Sequence, residues 1–364
     1  MRLGTAPVRA GIIGCGNISD IYCHNLKRWG EIELAACADL VPERAQVRAK
    51  QHGIPQVMTV EELLADESIE LVLNLTVPNA HAGVSLKALE AGKHVYVEKP
   101  FAITLEEGQR MLKLAQEKGL LIGGSPDTFM GAGIQTCIKL IEEGAIGTPI
   151  GATAFMLCGG HESWHPSPEI YYRRGGGPMF DMGPYYLTAL IAMLGPIRRV
   201  TGSARISSPE RTITSEPNCG KVIQVEVPTH IAGVLDFEEG AVATLVTSFD
   251  VPGGSEMPLF EIYGTEGTLH VPDPNTFGGH VSLRSYGSAD WEEIPLVNGY
   301  ADNSRGLGVL ELAHAIRTGE PYRASGELAY HVLEAMHGIH VASESGKHVV
   351  LQSTCARPAR MTDL

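Results

Sequence analysis

A glycine-rich turn directly after an apolar run is the feature that most constrains this chain. The run Val8–Ile13 leads into Gly-Cys-Gly-Asn-Ile-Ser at positions 14–19, and a helical pattern follows. The first glycine permits a tight turn, and the second lets the backbone approach a pyrophosphate at the N-terminus of the helix. Asp39 closes the next apolar run, about 20 residues on, where an acid can hold ribose hydroxyls. The pattern predicts a dinucleotide-binding βαβ unit with these cofactor contacts: Gly14, Gly16, Asn17, Ile18 and Asp39.

The acid at the end of the second run also bears on the choice of cofactor. An unpaired carboxylate at Asp39 would repel a 2′-phosphate, which favours NAD over NADP. Arg44 lies a little downstream and would weaken that preference. Ser19 stands where the fingerprint has its third glycine, and its small side chain still allows the helix and the strand to pack closely. The alternative interpretation is an ordinary glycine-rich turn that binds no cofactor.

The first third of the chain alternates short apolar runs with helical patterns. Strands are predicted at 8–13, 32–38, 71–75, 94–97 and 120–123. These runs are continuously apolar, as in parallel strands that helices cover on both faces. Thr-x-x-Glu capping boxes mark the starts of two helices, at Thr59/Glu62 and Thr104/Glu107. The pattern is typical of an α/β domain with a doubly wound parallel sheet, a Rossmann domain, which we assign to residues 1–125.

The pattern changes after a predicted helix at 133–143. Further strands are predicted at 151–157, 230–237, 241–249, 260–263 and 268–271, and two tight turns, at 238–240 and 265–267, join neighbouring strands. Such hairpins indicate an antiparallel sheet. Helices are predicted at 307–317 and 327–343, the second with Ser325 as its N-cap. We therefore expect a second, α+β domain at residues 126–364, with a large open and mainly antiparallel sheet.

Composition excludes several classes of protein. No apolar run among the 364 residues approaches the roughly 20 needed to cross a bilayer, so no membrane association is expected. The segment 1–9 has no apolar signal core, which predicts a cytoplasmic protein. The seven cysteines are isolated in the sequence, as is usual for reduced thiols. A net charge of −14 without clustered Lys and Arg argues against a nucleic-acid partner.

Two further motifs carry a family resemblance. Thr-Val-Pro-Asn-Ala-His occupies 76–81, and Ala-Gly-Lys-His-Val-Tyr-Val-Glu-Lys-Pro occupies 91–100. Together they resemble the Gfo/Idh/MocA family of glucose–fructose oxidoreductases, inositol dehydrogenases and related sugar dehydrogenases. The resemblance implies that Lys99 reaches both nicotinamide and substrate, with a cis proline fixing the turn. It also implies a homodimer or homotetramer formed through the open sheet, and these additional cofactor contacts: Thr76, Pro78, Asn79, His81, Glu98, Lys99 and Pro100.

A third motif supplies candidate acid-base residues. The segment Gly-Gly-Gly-Pro-Met-Phe-Asp-Met-Gly-Pro-Tyr at 175–185 resembles the family's GGGxxxDxGxH, with Tyr185 in place of the histidine, as in the glucose–fructose oxidoreductase branch. The four-residue spacing puts Asp181 and Tyr185 on one helix face. A tyrosine needs a nearby cation such as Lys99 to act as a base near neutral pH. The alternative is that Asp181 caps the following helix and Tyr185 only packs against it.

A zinc-protease motif, His-Glu-Ser-Trp-His, also occurs, at 161–165. That chemistry needs both histidines on one helix, but glycines precede the motif and prolines follow it, so no helix and no metal ion are expected. We instead predict that this loop lines a sugar pocket, with His161 and Trp164 as substrate contacts beside Asp181 and Tyr185. His165 is the alternative catalytic base to Tyr185.

These features predict an NAD-dependent oxidoreductase. The expected reaction transfers a hydride between nicotinamide and a ring hydroxyl carbon of a small-molecule sugar, sugar derivative or cyclic polyol, in either direction. Lys99 would stabilise the alkoxide, while Asp181 would hold the substrate. Two alternatives stay open at this point. One is a redox-neutral glycosidase or lyase that acts through a transient keto-sugar, and the other is a non-catalytic dinucleotide-binding sensor.

Overall fold

A computed structural model describes residues 6–297 and 299–362 of the chain. Residues 1–5 of the predicted N-terminal arm lie outside the described residues. By its internal contacts the described chain divides into two compact units. The first unit comprises residues 6–130, Asn303–Tyr330 and 361–362, and the second comprises the described part of 131–302 together with His331–Arg360. No helix of the described residues is long and apolar enough to cross a membrane.

Helices and strands alternate in the first unit and are mixed in the second. The helices are α1 (Ser19–Leu26), α2 (Pro42–His52), α3 (Val60–Ala65), α4 (Pro78–Glu90), α5 (Leu105–Lys118), α6 (Ala132–Glu142), α7 (Gly177–Leu194), α8 (Leu307–Thr318) and α9 (Gly326–Ser345). The strands of the first unit are β1 (Val8–Ile13), β2 (Ile32–Ala38), β3 (Gln56–Val57), β4 (Leu71–Asn74), β5 (His94–Val97) and β6 (Ile122–Gly124). The strands of the second unit are β7 (Pro149–Leu157), β8 (Ile197–Arg205), β9 (Glu210–Thr212), β10 (Val222–Gln224), β11 (His230–Phe237), β12 (Val242–Ser248), β13 (Phe260–Gly264), β14 (Gly267–His270), β15 (Val281–Ser285), β16 (Glu292–Ile294) and β17 (Val349–Val350).

The first unit contains a parallel sheet in the order β3-β2-β1-β4-β5-β6. Its central strands are almost entirely buried, which explains their continuously apolar sequences. Strand order reverses between β1 and β4, and ligands of doubly wound sheets bind at the carboxyl ends of the strands at such a point. The predicted Rossmann sheet is therefore confirmed. Both predicted capping boxes are present, at the starts of α3 and α5.

A late segment of the chain, Asn303–Tyr330, packs into this first unit. A Cβ added at Gly308 of α8 would lie 2.4 Å from the Tyr96 hydroxyl, so helix and strand meet closely. Arg317 at the end of α8 donates to the Glu70 carboxylate at 2.6 and 2.7 Å. Ser325 accepts a hydrogen bond from Leu328 N–H at 3.2 Å and acts as the predicted N-cap of α9. The sequence prediction did not include this return of the chain.

The second unit is built on a nine-stranded sheet in the order β16-β15-β14-β13-β7-β12-β11-β8-β17. Only β7 and β12 pair in parallel among its described strands, so the predicted open, mainly antiparallel sheet is confirmed. The turns at 238–240 and 265–267 join antiparallel neighbours as predicted. Strands β8, β15, β16 and β17 and the separate β9–β10 hairpin were not predicted, because their sequences are polar or very short.

The two faces of this sheet differ in burial. Residues on one face, such as Ala154 and Leu245, are fully buried, and α7 packs across β7, β11 and β12. Alternate residues point to the opposite face. That face carries Phe155 and Val246, which are partly exposed, and Val234, which is 36% exposed. We call it the outer face, and on it threonines such as Thr201 and Thr244 flank the apolar Val234.

Candidate functional site

The glycine turn after β1 has the geometry that a pyrophosphate requires. Gly14 has φ +100°, and a Cβ on it would lie 2.6 Å from the Leu75 carbonyl, so no other residue fits there. Gly16 is different, because a Cβ built on it meets no atom within 4 Å. The space that a side chain would fill is thus left open in front of α1. These residues fit a dinucleotide phosphate.

Asp39 closes the same turn from the end of β2. Its carboxylate accepts hydrogen bonds from Cys15 N–H at 2.7 Å and from Val41 N–H at 2.8 Å. The acid after β2 is therefore in direct contact with the glycine turn, and its contact with a ribose stays a prediction. Asn17 is exposed and Ile18 half-buried in the turn that leads into α1.

The segment after β4 is tied to the segment after β5 by a buried histidine. His81 is 1% exposed, with Nδ1 2.7 Å from the Pro100 carbonyl oxygen and Nε2 3.0 Å from the Thr76 carbonyl oxygen. Burial lowers the pKa of His81, so the ring is neutral and has one N–H to donate. The ring lies between the two turns and donates its one N–H to one of these two carbonyl oxygens. A direct contact of His81 with a cofactor stays a prediction.

The first turn of α4 carries the other predicted contacts of this motif. Pro78 is half-buried and Asn79 is exposed. The sequence prediction missed Asn74, whose buried amide donates to the His81 carbonyl at 2.8 Å and accepts the Thr76 hydroxyl at 2.6 Å. The sequence did contain a signal for this residue, because a polar side chain at the end of a buried apolar strand needs hydrogen-bond partners.

The turn after β5 fixes the backbone at Lys99. The Lys99–Pro100 peptide bond is cis, as the resemblance implies. Glu98 is buried, accepting Lys99 N–H at 2.8 Å on one carboxylate oxygen and the Tyr22 hydroxyl at 2.8 Å on the other. Burial raises the pKa of Tyr22 well above its ordinary value, so the phenol stays protonated and donates. The Tyr22 oxygen also lies 2.8 Å from Ser125 Oγ.

In the second unit, α7 carries the predicted acid-base pair. Asp181 and Tyr185 lie one helical turn apart, and Tyr185 is 8% exposed. The helix begins at Gly177 with Gly176 as its N-cap residue. Asp181 therefore lies inside the helix, and its interpretation as a helix cap is wrong. The side chain of Asp181 is 14% exposed.

His161 from the loop after β7 lies beside this carboxylate. Its Nε2 is 3.4 Å from Asp181 Oδ2. The imidazole stacks on Tyr171, with ring centroids 3.8 Å apart, and meets the edge of Phe249 at 4.6 Å. Its buried Nδ1 has no hydrogen-bond partner among the described residues. The structure thus brings together two predicted site residues, and sequence reasoning missed both supporting aromatic rings.

The other two predicted residues of this loop are more accessible. Trp164 is 63% exposed, and His165 is half-buried. His165 Nδ1 accepts a hydrogen bond from Ser167 N–H at 3.0 Å. Burial, together with the neighbouring His161, lowers the pKa of His165, so the ring is neutral and carries its proton on Nε2.

The zinc-protease motif does not form a helix. Residues 162–164 form turns, and the His161 carbonyl accepts Trp164 N–H at 3.4 Å and His165 N–H at 3.0 Å. The flanking glycines and prolines predict this outcome. Within residues 6–297 and 299–362, no group of three or more His, Cys, Asp or Glu side chains has an arrangement that could hold a metal ion.

The strand order, the glycine turn at its point of reversal and the acid on β2 define a dinucleotide-binding protein. Residues 8–123 match the model of the oxidoreductase family with an NAD-binding Rossmann fold, and residues 134–270 match the model of the Gfo/Idh/MocA C-terminal domain. The chain therefore belongs to the Gfo/Idh/MocA family of NAD(P)-dependent oxidoreductases.

Similar proteins include several sugar dehydrogenases. The chain is 27% identical to D-xylose 1-dehydrogenase (NADP(+)) 2 of Haloferax volcanii over 357 residues, 94% of this chain and 99% of the relative. It is 27% identical to D-glucoside 3-dehydrogenase of Escherichia coli over 263 residues, 67% of this chain and 71% of the relative. Levoglucosan dehydrogenase in complex with NADH and L-sorbose has the same fold, with a TM-score of 0.82, 21% identity and coverage of 95% of this chain and 100% of that one.

Proposed function

We propose that this protein is an NAD-dependent dehydrogenase that interconverts a ring CH–OH group and a ketone in a sugar, sugar derivative or cyclic polyol. The observation that carries the proposal is the polar cluster on α7, in which Asp181 lies 3.4 Å from His161 and one helical turn from Tyr185. The names of two similar proteins, a xylose and a glucoside dehydrogenase, support a carbohydrate as substrate.

Each polar residue has a separate task in this proposal. The bound nicotinamide supplies the hydride acceptor or donor. Tyr185, in its phenolate form, takes the proton of the reacting hydroxyl and becomes the phenol, and Asp181 accepts a hydrogen bond from a hydroxyl of the substrate. The Lys99 ammonium stabilises the developing alkoxide. His165 is less suited to be the base, because its Nδ1 lone pair already accepts Ser167 N–H and its Nε2 carries the proton.

The proposed preference for NAD rests on Asp39. Its carboxylate is fixed by two backbone N–H groups, that of Cys15 in the glycine turn and that of Val41 after β2. A carboxylate held there hydrogen-bonds ribose hydroxyls and repels a 2′-phosphate. We expect NAD to bind more tightly than NADP to the wild-type protein, and an Asp39→Ser variant to lose most of this difference. Equal affinities of the wild-type protein for both, measured by titration calorimetry, would contradict the preference.

A screen of sugars, glycosides and inositols for NADH formation tests the function. With the best substrate, Tyr185→Phe should lower kcat by about 10²-fold or more, since it removes the proton acceptor. Tyr286→Phe is the matched control, because Tyr286 is 88% exposed and its hydroxyl should not matter. If no carbohydrate or polyol yields NADH, the proposed function is wrong. If Tyr185→Phe retains full activity, the base is another residue and His165→Gln becomes the next variant.

A further inference from the structure

A partly buried arginine outside the predicted site connects two segments that hold the ring of His161. Arg211 lies on β9, and its side chain is 16% exposed. Its Nη1 lies 3.0 Å from the Glu162 carboxylate, and its Nη2 forms an ion pair with Asp250. The guanidinium also stands 5.5 Å from the centre of the Tyr172 ring. An arginine fork can hold two carboxylates at fixed angles, which a lysine cannot.

Both segments that Arg211 holds are neighbours of His161. Glu162 directly follows His161 in the chain, and Asp250 directly follows Phe249, whose ring edge meets the imidazole. Nη1 and Nη2 of Arg211 also donate to the Phe249 carbonyl oxygen, each at 3.4 Å. One guanidinium therefore fixes the covalent neighbour and an aromatic neighbour of the same ring.

The loop that carries His161 needs such support from outside. Residues 158–167 form neither helix nor strand. The chain just after β9 adds further bonds, since the Glu162 carbonyl accepts Thr214 N–H at 2.9 Å and Ser215 N–H at 3.0 Å. The Ser215 hydroxyl donates to the His165 carbonyl at 2.6 Å. The β9–β10 hairpin is thus bonded along the loop, and Arg211 is the partly buried charged residue that joins the two.

We propose that Arg211 is a positioning residue for the reaction, acting through Glu162 and Phe249 to keep the ring of His161 against Asp181. The inference rests on the proposed function, in which Asp181 binds the substrate. Displacement of a reacting or binding group by about 1 Å costs on the order of 10²-fold in rate. Removal of Arg211 also leaves the buried carboxylates of Glu162 and Asp250 without their counter-charge, so that both will move toward water.

The kinetic test compares three variants. Arg211→Met should lower kcat by about tenfold or more, while the KM for NAD stays within about twofold of the wild-type value. Arg211→Lys keeps the charge and should recover part of the loss. Lys221→Met is the matched control, because Lys221 pairs with Glu169 of the same loop from an exposed position and should change kcat less than about twofold. A merely structural role for Arg211 lowers the Tm and leaves kcat per folded molecule unchanged, which would overturn the inference.

A second readout does not depend on activity. Arg173 and Arg174 are exposed at the end of the loop, so trypsin cleavage there, followed by mass spectrometry under native conditions, reports how well the loop is held. We expect faster cleavage in Arg211→Met and wild-type rates in Lys221→Met. Unchanged cleavage in Arg211→Met overturns the inference. If wild-type protein oxidises no sugar, the proposed function fails, and cleavage alone decides the positioning role. If Arg211→Met does not fold, Arg211→Lys is judged by the same criteria.

Discussion

Asp127 is a buried carboxyl group that the proposed chemistry does not use. It is 1% exposed and accepts Gly306 N–H at 2.7 Å and Gly308 N–H at 3.1 Å at the start of α8. Burial raises the pKa of Asp127 to about 6, and the nearby Glu98 adds to the increase. The two N–H donors and Arg305 partly oppose it. This carboxyl therefore changes its charge close to neutral pH.

The raised pKa predicts a specific pH dependence of stability. Between the ordinary pKa of 3.8 and the folded value of about 6, the folded state holds the proton that the unfolded state releases. The contribution of Asp127 is thus fully present below pH 3.8 and lost as the pH rises through 6. We expect the free energy of unfolding of wild-type protein, relative to Asp127→Asn, to fall by on the order of 3 kcal/mol across this range. Urea unfolding at several pH values measures it, and a constant difference would contradict the prediction.

Single residues differed in how far the sequence could predict them. Gly14 was predictable, because a short motif carries its own local geometry, and the family resemblance implied the cis Lys99–Pro100 bond. The approach of His161 to Asp181 was not, since it depends on contacts from separate parts of the chain. Arg211 pairs with Glu162 and Asp250, which are the chain neighbours of His161 and Phe249. No local sequence pattern distinguishes it from an ordinary surface arginine.

At the scale of single elements, the capping box of α5 is predicted to contribute measurably to the stability of the protein. The Thr104 side chain accepts Glu107 N–H at 3.2 Å, and the Glu107 carboxylate accepts Thr104 N–H at 3.1 Å. Thr104→Ala should lower the free energy of unfolding by about 1 kcal/mol, because one helix N–H loses its partner. Lys113→Ala on the same helix is the control, since Lys113 is 74% exposed and a change of less than about 0.5 kcal/mol is expected. Equal effects of the two variants in urea unfolding would argue against the cap.

Elements with a clear apolar period were predicted, and others were missed for physical reasons. The strands β1, β2 and β11 have their predicted bounds. The full length of α7 was not predicted, because it starts in a run of glycines, contains Pro184 and is buried on nearly all sides. A helix buried all round has no polar stripe to reveal its period. Its context in the second unit, rather than its intrinsic propensity, makes it a helix.

At the scale of the whole molecule, the outer face of the nine-stranded sheet predicts self-association. By family resemblance we expect a homodimer or homotetramer that covers this face. Val234→Asp would place an unpaired charge on this face, between Thr201 and Thr244, and should shift the sedimentation of the protein toward the monomer. Val57→Asp is the control, since Val57 is 43% exposed on the short edge strand β3 of the first unit. A wild-type protein that sediments as a monomer would show the expectation to be wrong.

The return of Asn303–Tyr330 to the first unit has a consequence for synthesis on the ribosome. Helix α8 lies against Tyr96, and the N–H groups of Gly306 and Gly308 at its start donate to Asp127, yet nearly half of the chain separates Asp127 from these glycines. The six strands of the parallel sheet are therefore synthesised before the helix that packs against Tyr96 exists. The first unit can complete its packing only after the strands β7 to β16 of the second unit have also been translated.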